Sequence, residues 1–301
     1  MEHPYNKVPR VITEMLESIR ANNRSGAAEI LPKAAEIYSA AASGPYTGLS
    51  IDESVLLVDY ISSTITEVQP GMAGLLNMTR RVSAAVRQFT AAPLDLAAKV
   101  ASEFAVSASH KAAACAVQTA QLIAEDAVVL THSRSSTVLA GLLASSRSGR
   151  KFSLIATESR PMLEGRQLAE AISNAGIPVT IIVDAAAALV MDKVDLVMVG
   201  ADRVAPDHVL NKVGTGMIAL AARSRKIPVY CVADTTKFIS PPQASARPVS
   251  PPATEVWPDC PGGISIFNRY FEEIPIEIFT AVVAENGPLK PSEAAAIAAR
   301  S

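Results

Sequence analysis

Apolar residues in the first third of the chain recur at helical spacing. Ile12, Leu16 and Ile19 lie three or four residues apart, and Val82 and Val86 repeat this spacing further along. An apolar face with this period is typical of an amphipathic helix. Glycine and proline interrupt the pattern near residues 26, 44–48 and 70–74, where loops are expected. The sequence therefore predicts an all-helical N-terminal domain over residues 1–112.

The pattern changes after Asp126 to short apolar runs that alternate with amphipathic stretches. The runs, rich in Val and Ile, are AVVLTH, FSLIAT, VTIIVD, DLVMVG and VYCVAD. Such runs are typical of strands buried on both faces of a parallel sheet that helices cover. A last apolar strand is predicted from Ile276 to Val283, with a helix after Pro291. The predicted fold class is α/β, with a helical N-terminal domain followed by a Rossmann-like parallel-sheet domain over residues 113–301.

A proline-rich segment over residues 240–263 interrupts this second domain. It is polar and has no hydrophobic periodicity, which predicts a long surface excursion. Two interpretations are open for it, a lid over a ligand or an interface arm.

Charge and cysteine content narrow the functional classes. Lys and Arg total 27 against 29 Asp and Glu, a net charge of -2, so no broad basic field predicts direct binding of nucleic acid. The N-terminus lacks the apolar core of a signal peptide, and no apolar stretch approaches the ~20 residues of a membrane span. The three cysteines, Cys115, Cys231 and Cys260, are too few and too widely spaced for a disulfide framework. We expect a cytoplasmic protein that does not interact with membranes.

Polar clusters follow the predicted strands, where ligands bind in an open parallel sheet. In THSRSST, after the first strand, Ser133, Arg134, Ser135 and Ser136 resemble a phosphate cradle at a helix N-terminus. The alternative is ordinary capping of that helix by one serine. In ESRPMLEGR, after the second strand, Glu158 and Arg160 are candidate ligand contacts or, equally, a surface ion pair.

The segment GADRVAPDHVLNKVGTG after the fourth strand is the most informative. A carboxylate such as Asp202 at the end of a buried strand is costly unless it is paired or used in proton transfer. Asn211 and Lys212 are expected to open the next helix and to offer an amide, a charge and free N–H groups to a phosphate. The alternative is a structural pair of Asp202 with Arg203 followed by an asparagine-capped helix.

Other chemistry has little support in the sequence. Cys115 and Cys231 are expected to be core residues, and His132 either orients a ligand or is structural. There is no metal-binding motif such as HExxH or paired CxxC. The glycine-containing stretch GTGMIA does not directly follow a predicted strand, as a dinucleotide fingerprint does. The sequence therefore predicts no metal and no cofactor.

The order of these motifs resembles a known superfamily. It comprises ribose-1,5-bisphosphate isomerase, methylthioribose-1-phosphate isomerase, and the alpha, beta and delta regulatory subunits of translation initiation factor two-B. The resemblance covers residues 128–291 and is carried by THSRSST, TESRPMLEGRQLAEAI, DLVMVGADRV, NKVGT, IPVYCVADTTKF and NRYFEEIPIEIFTAVVAENG. In the helical half, RSGA resembles the superfamily's Arg-Gly-Ala phosphate loop with one extra residue, which implies that Arg24, Gly26 and Ala27 bind substrate.

The resemblance implies two alternative functions. The first is isomerisation of an aldose 1-phosphate to a ketose, for which the superfamily supplies an Asp and a Cys as the acid–base pair. Asp202 matches the Asp, whereas Ser133 occupies the Cys position, and a hydroxyl is a poor acid–base group without activation. The second is a non-catalytic regulatory protein that binds a phosphorylated sugar or nucleotide, as the alpha subunit of the initiation factor does. The superfamily also implies a homodimer or a higher homo-oligomer.

Overall fold

The computed structural model describes residues 8–22, 26–44, 48–88, 91–240 and 251–301. The chain divides into two compact units, Met1–His110 and Lys111–Ser301. The described part of the first unit is helical, and the second unit combines helices with β-strands.

The described part of the N-terminal unit is helical, which confirms the prediction for this half. Its core consists mainly of aliphatic and alanine side chains on the facing sides of the helices. Ser50 and Glu53 form a capping box at the start of the third helix, and this fixes where that helix begins. The helices are α1 (Arg10–Ala21), α2 (Ala27–Ser43), α3 (Ile51–Val68), α4 (Ala73–Gln88) and α5 (Pro93–Gln121), whose last part belongs to the C-terminal unit.

A seven-stranded sheet forms the centre of the C-terminal unit and confirms the predicted parallel-sheet domain. Its strands are β1 (Ala127–His132), β2 (Phe152–Thr157), β3 (Val179–Ile182), β4 (Leu196–Gly200), β7 (Val229–Val232), β9 (Ala281–Ala284) and β10 (Gly287–Leu289). They lie in the order β10-β9-β7-β4-β1-β2-β3, and every neighbouring pair is parallel except β9 with β10.

Most of the helices that accompany this sheet lie between its strands in the chain, as in other parallel α/β domains, and the last one follows β10. They are α6 (Ser136–Arg147), α7 (Glu164–Asn174), α8 (Ala187–Val190), α9 (Thr215–Ser224) and α10 (Pro291–Ala298). The chain leaves β1 toward β2 and β3 on one side and returns to β4 and β7 on the other. The carboxyl ends of β1 and β4 therefore form the topological switch point, where open α/β sheets bind ligands.

Three details of the predicted strands were wrong. All residues of β3 are at least partly exposed, because β3 is an edge strand with β2 as its only neighbour in the sheet. Strand β9 begins at Ala281, since Ile276–Ile278 form a short 3-10 turn. A second sheet was missed: the strands β5 (Arg203–Val204), β6 (His208–Lys212) and β8 (Phe271–Pro275) pair antiparallel.

Two glycines allow close approaches at the carboxyl end of the sheet. A Cβ at Gly200 would lie 2.5 Å from Cβ of Ser135, so the loop after β1 packs directly on the end of β4. A Cβ at Gly165 would lie 1.9 Å from the carbonyl oxygen of Thr157, so the first turn of α7 presses against the end of β2. Both close contacts are possible only because glycine has no Cβ atom.

We predict that Gly165→Ala destabilises the protein by about 1–3 kcal/mol, the usual cost of overpacking a close contact. The neighbouring atom is backbone, which has little freedom to move. Urea denaturation of the wild type and the variant measures the difference. Gly262→Ala is the matched control because a Cβ there meets nothing within 4 Å. Equal midpoints for Gly165→Ala and the wild type would contradict the close approach.

Candidate functional site

His132, the last residue of β1, is held in one orientation. Its Nε2 lies 2.8 Å from the carbonyl oxygen of Val213, so Nε2 carries the proton. Its Nδ1 then accepts a hydrogen bond from Thr157 Oγ1 at 2.6 Å. Burial lowers the pKa of His132 and keeps the ring neutral, although the hydrogen bond to Val213 and the charge of Asp184 act in the opposite direction. His132 connects the ends of β1 and β2 with the turn after β6, which is a structural role.

Ser133 follows directly and has an unusual backbone conformation. Its φ is +67°, a region in which non-glycine residues are uncommon outside turns and functional sites. Its backbone N–H donates to Ser159 Oγ at 2.8 Å, and its own hydroxyl donates to Glu164 Oε1 at 2.9 Å. The Ser133 side chain is therefore hydrogen-bonded to a carboxylate.

Glu164 is the first residue of α7 and also pairs with a lysine. Lys212 Nζ lies 2.8 Å from the same Oε1 atom, and the side chains of Lys212 and Glu164 are 4% and 13% exposed. The ammonium also lies 5.5 Å from the centre of the Tyr270 ring, in cation–π range. Oε2 of Glu164 is buried and has no hydrogen-bond partner among the described residues. We call the side chains of Ser133, Glu164 and Lys212 the Ser133–Glu164–Lys212 cluster.

The motif analysis did not single out Glu164. The residue lies in the quoted motif TESRPMLEGR, but its spacing from Ser133 and Lys212 along the chain carries no signal of contact. A carboxylate in the first turn of a predicted helix is ordinary, because the helix dipole favours it there. Only the fold brings Glu164 to the loop after β1.

Asp202 lies at the switch point, in the bend between β4 and β5. Its backbone N–H donates to the carbonyl oxygen of Leu210 at 3.0 Å, and the residue keeps partial contact with solvent. Burial raises the pKa of its carboxyl group. The charges of Lys237 and Lys212 oppose this rise, and the charge of Glu164 adds to it. The charge of Arg203 also opposes the rise, so four charged side chains act on the Asp202 carboxyl group.

Two buried cations next to Asp202 have structural partners. Lys237 donates from Nζ to the carbonyl oxygen of Ala201 at 2.8 Å. The Arg203 side chain is 0% exposed, and its Nη2 lies 3.3 Å from Glu273 Oε1 on β8. The alternative from the sequence paired Arg203 with Asp202; the charge of Asp202 does act on Arg203, and the ion pair with Glu273 in addition connects strands of the second sheet.

Asn211 and Lys212 lie in strand β6, which corrects the prediction that they open a helix. Helix α9 begins at Thr215, and the Asn211 side-chain amide donates to Thr215 Oγ1 at 2.9 Å. The prediction failed because β6 pairs with β8, which lies far along the chain. Asn211 thus orients the start of α9 from the neighbouring strand.

The N-terminus of α9 already holds an anion from the protein itself. The backbone N–H groups of Gly214 and Gly216 donate to Oε1 of Glu272, at 2.9 and 2.8 Å. These are the N–H groups that were expected to receive a phosphate. A carboxylate at a helix N-terminus satisfies the same donors and the same dipole as a phosphate would.

The serines after Ser133 are partly explained by capping. Ser135 Oγ accepts a hydrogen bond from the backbone N–H of Val138 at 3.3 Å and so caps α6. Ser136 is the first residue of that helix, and Arg134 and Ser136 are both half-buried at the switch point. Contact of Arg134, Ser135 and Ser136 with a ligand stays a prediction.

Glu158 and Arg160 have separate partners, so the surface ion pair suggested between them is replaced by two other contacts. Glu158 Oε2 lies 2.7 Å from Arg166 Nη2. Arg160 donates from Nη2 to the carbonyl oxygens of Glu255 and Val256, at 3.3 and 3.5 Å, and thereby holds the described end of the proline-rich segment. Their contact with a ligand also stays a prediction.

The residues that resemble the phosphate loop lie in the N-terminal unit. Arg24 falls outside the described residues. Gly26 precedes α2 with an extended backbone, and Ala27 is the first, buried residue of that helix. Binding of substrate by these three residues remains a prediction.

The cysteines of the core offer no replacement for the missing thiol. Cys115 donates from Sγ to the carbonyl oxygen of Val283 at 3.0 Å, and Cys231 is fully buried in β7. Burial raises the pKa of each thiol to about 12. Both are core residues, as expected.

The described ranges contain neither a candidate metal site nor a helix that could span a membrane. Within them, no group of three or more His, Cys, Asp or Glu side chains is arranged to hold a metal ion. Within the same ranges, none of the helices combines the length and apolarity that crossing a bilayer requires.

A surface cleft lies at the opposite end of the sheet, at the amino ends of β1 and β2. Its lining includes Asp126, Arg150 and Phe152. The Arg150 guanidinium there donates to the carbonyl oxygens of Ala120 and Ile123 near the end of α5. Because ligands of such sheets bind at the carboxyl ends of the strands, the cluster around Ser133 and Asp202 is the better candidate site.

Comparison with known proteins gives isomerases and initiation factors alike. A putative translation initiation factor eIF-2B subunit 2-like protein of Pyrococcus horikoshii is 32% identical over 234 residues, which cover 77% of this chain and 80% of that protein. A methylthioribose-1-phosphate isomerase of Syntrophotalea carbinolica is 31% identical over 264 residues, 80% of this chain and 77% of the isomerase. A ribose 1,5-bisphosphate isomerase of Archaeoglobus fulgidus is 36% identical over 172 residues, 55% of each chain.

The fold is also shared with a solved structure. The crystal structure of the Pyrococcus horikoshii OT3 translation initiation factor eIF-2B superposes with a TM-score of 0.80 at 28% identity, covering 94% of this chain and 98% of that one. The Initiation factor 2 subunit family matches residues 33–291, from within α2 to the first residue of α10. This match confirms the resemblance seen in the motifs, and the chain belongs to the Initiation factor 2 subunit family.

Proposed function

We propose that the protein is a sugar-phosphate aldose–ketose isomerase that acts on a substrate of the ribose 1-phosphate type. The observation that carries this proposal is the position of Asp202, which lies at the switch point within electrostatic range of Lys212, Lys237 and Glu164. Two of the relatives are named as isomerases of phosphorylated pentoses. Both lines of support converge on proton transfer at a small anionic sugar.

Asp202 is the proton-transfer group in this proposal. The reaction opens the sugar ring and moves a hydrogen from C2 to C1, so it needs a group that both gives and takes protons. Burial raises the pKa of Asp202 and brings it closer to the pH at which general acid–base catalysis is efficient. Lys212, Arg134 and Asn211 are the proposed contacts with the phosphate and the sugar hydroxyls.

A non-catalytic, phosphate-binding regulatory protein is the second candidate. Ser133 in place of a cysteine favours it, because a hydroxyl gives up its proton far less readily than a thiol. The relative named as an initiation factor subunit-like protein is as similar in sequence as the isomerases are. Under either function the ligand is a small phosphorylated sugar or nucleotide, and direct binding of nucleic acid is not proposed.

Assembly and location are proposed from the resemblance in the motifs. One structure that shares the fold, at 19% identity and a TM-score of 0.73, is a tetrameric eIF2B-beta2-delta2 complex from C. thermophilum. We propose a homodimer or a higher homo-oligomer that works in the cytoplasm. Light scattering on the purified protein measures the assembly.

Turnover of an aldose 1-phosphate separates the two functions. We expect incubation with ribose 1,5-bisphosphate or 5-methylthioribose 1-phosphate to yield the corresponding ketose, seen by NMR as a new carbonyl signal at C2. Titration calorimetry with the same compounds measures binding independently. Tight binding without any ketose would favour the regulatory function, and absence of both would rule out a sugar-phosphate site.

Asp202→Asn is expected to lower kcat by about 100-fold or more, the usual contribution of a general acid–base group. Asparagine keeps the size of the side chain but cannot accept a proton. Steady-state assays with the NMR-identified substrate measure kcat and KM, and KM should change little. Asp207→Asn is the matched control, because Asp207 lies in the same hairpin with a side chain that is 84% exposed. Unchanged turnover in Asp202→Asn would exclude Asp202 as the acid–base group.

Ser133→Cys is expected to raise kcat several-fold in an enzyme of this type. The thiol has a reference pKa of about 8.5 and can hold or release the proton itself. The same assay measures the change, with Ser148→Cys on the exposed end of α6 as the control for introducing a thiol. A fall in kcat for Ser133→Cys would show that the serine is adapted to its site and is not a handicap.

A further inference from the structure

The Ser133–Glu164–Lys212 cluster contains a proton path that the motifs did not reveal. We propose that Ser133 and Glu164 act together as a proton relay, in which the Ser133 hydroxyl takes a proton from the substrate while passing its own to Glu164. This inference rests on the proposed isomerase function and supplies the second acid–base group that the missing thiol leaves open.

The geometry fits a hydroxyl activated by a base that a third group holds in place. Ser133 Oγ donates to Glu164 Oε1 at 2.9 Å, so the proton already points at its acceptor. Lys212 Nζ, 2.8 Å from the same oxygen, fixes the carboxylate and is its counter-ion. An activated hydroxyl generally lies within hydrogen-bond reach of a base, and a third group orients that base.

The surroundings hold each member of the relay rigidly. The backbone N–H of Ser133 is bound to Ser159 Oγ, and its positive φ directs the side chain away from the continuation of β1. Gly165 brings the first turn of α7 against the end of β2 and so sets the position of Glu164. Ser133 is half-buried, which leaves its hydroxyl within reach of a ligand.

Glu164 also has unused capacity to accept a hydrogen bond. Ser133 and Lys212 both engage Oε1, whereas Oε2 is buried and has no partner among the described residues. A buried carboxylate oxygen without a donor is costly, and native structures retain one chiefly where it serves a function.

The proposed reaction balances without any oxidant or reductant. Asp202 gives its proton to the ring oxygen as the bond from C1 to that oxygen breaks, then takes the proton from C2, whose electron pair forms the C1–C2 double bond. Asp202 returns this proton to C1. The hydroxyl at C2 loses its proton to Ser133 Oγ, Ser133 passes its own proton to Glu164, and the C2 carbonyl forms. Before the next turnover a proton returns from Glu164 to Asp202 through solvent.

The relay makes Ser133 and Glu164 a functional unit, and a double-mutant cycle tests this directly. Glu164→Gln keeps an acceptor for the serine hydroxyl but cannot take a proton, and Ser133→Ala removes the path. We expect each single variant to lose about 100-fold in kcat, in the range of one acid–base step, with KM within a few-fold of the wild type. The double variant should be no slower than either single one, because residues of one unit are not additive.

A thiol provides the complementary test by rescue. Cysteine at position 133 holds a proton itself, so Ser133→Cys in the Glu164→Gln background should recover at least about ten-fold of the lost kcat. Glu170→Gln, exposed on the same helix α7, and Ser148→Ala are the matched controls. Melting temperatures of all variants, together with KM, separate loss of a proton path from loss of structure.

The outcomes separate the relay from the function on which it rests. A wild type that yields no ketose overturns both. An active wild type with Glu164→Gln within about five-fold of it overturns the relay alone. Additive losses in the double variant, or no recovery by Ser133→Cys in the Glu164→Gln background, also overturn the relay and leave Glu164 with a structural role.

Discussion

The structure of the C-terminal unit depends on how it pairs charges buried at the carboxyl end of its sheet. Removing an ammonium or a carboxylate from water costs several kcal/mol unless a partner compensates. Lys212 meets this requirement with Glu164, and Arg203 meets it with Glu273. Each pair joins segments far apart in the sequence: Glu164 at the start of α7 meets Lys212 in β6, and Arg203 in β5 meets Glu273 in β8.

Glu272 constrains where a ligand's phosphate can bind. Its carboxylate occupies the N–H groups of Gly214 and Gly216, so a phosphate brought there would meet a negative charge in place of free donors. The helix N-terminus after the fourth strand, one of two that the sequence suggested as a phosphate site, therefore already holds a carboxylate of the protein itself.

Hydrophobic patterning was sufficient to predict the overall class of the fold. The runs that became β1, β2, β4 and β7 are short and mainly apolar, and the helical spacing of the first third was equally clear. The second sheet could not be found in this way, because the strand His208–Lys212 is mostly polar and its partner β8 follows a long, proline-rich segment. Pairing between such distant segments leaves no local periodicity.

The candidate site was predictable only in part, for a related reason. Asp202 could be found because it closely follows the apolar strand β4, and Lys212 because it lies in the polar segment NKVGT ahead of α9. Glu164 and Glu272 could not, since a carboxylate early in a helix or in a short strand is common, and only contacts across the fold distinguish these two. For Arg203 the sequence suggested Asp202 as a partner, and the structure adds Glu273 on β8, which no local pattern indicates.

The same charge arrangement bears on the choice between the two proposed functions. A site that only binds a phosphate needs cations and N–H donors, and every nearby carboxylate weakens it by repulsion. At the Asp202 carboxyl group, burial raises the pKa and the charge of Glu164 adds to this rise, whereas the charges of Lys237, Lys212 and Arg203 oppose it. A carboxyl group with a raised pKa is suited to acid–base catalysis, so the proposed isomerase accounts for Asp202 better than passive binding of an anion does.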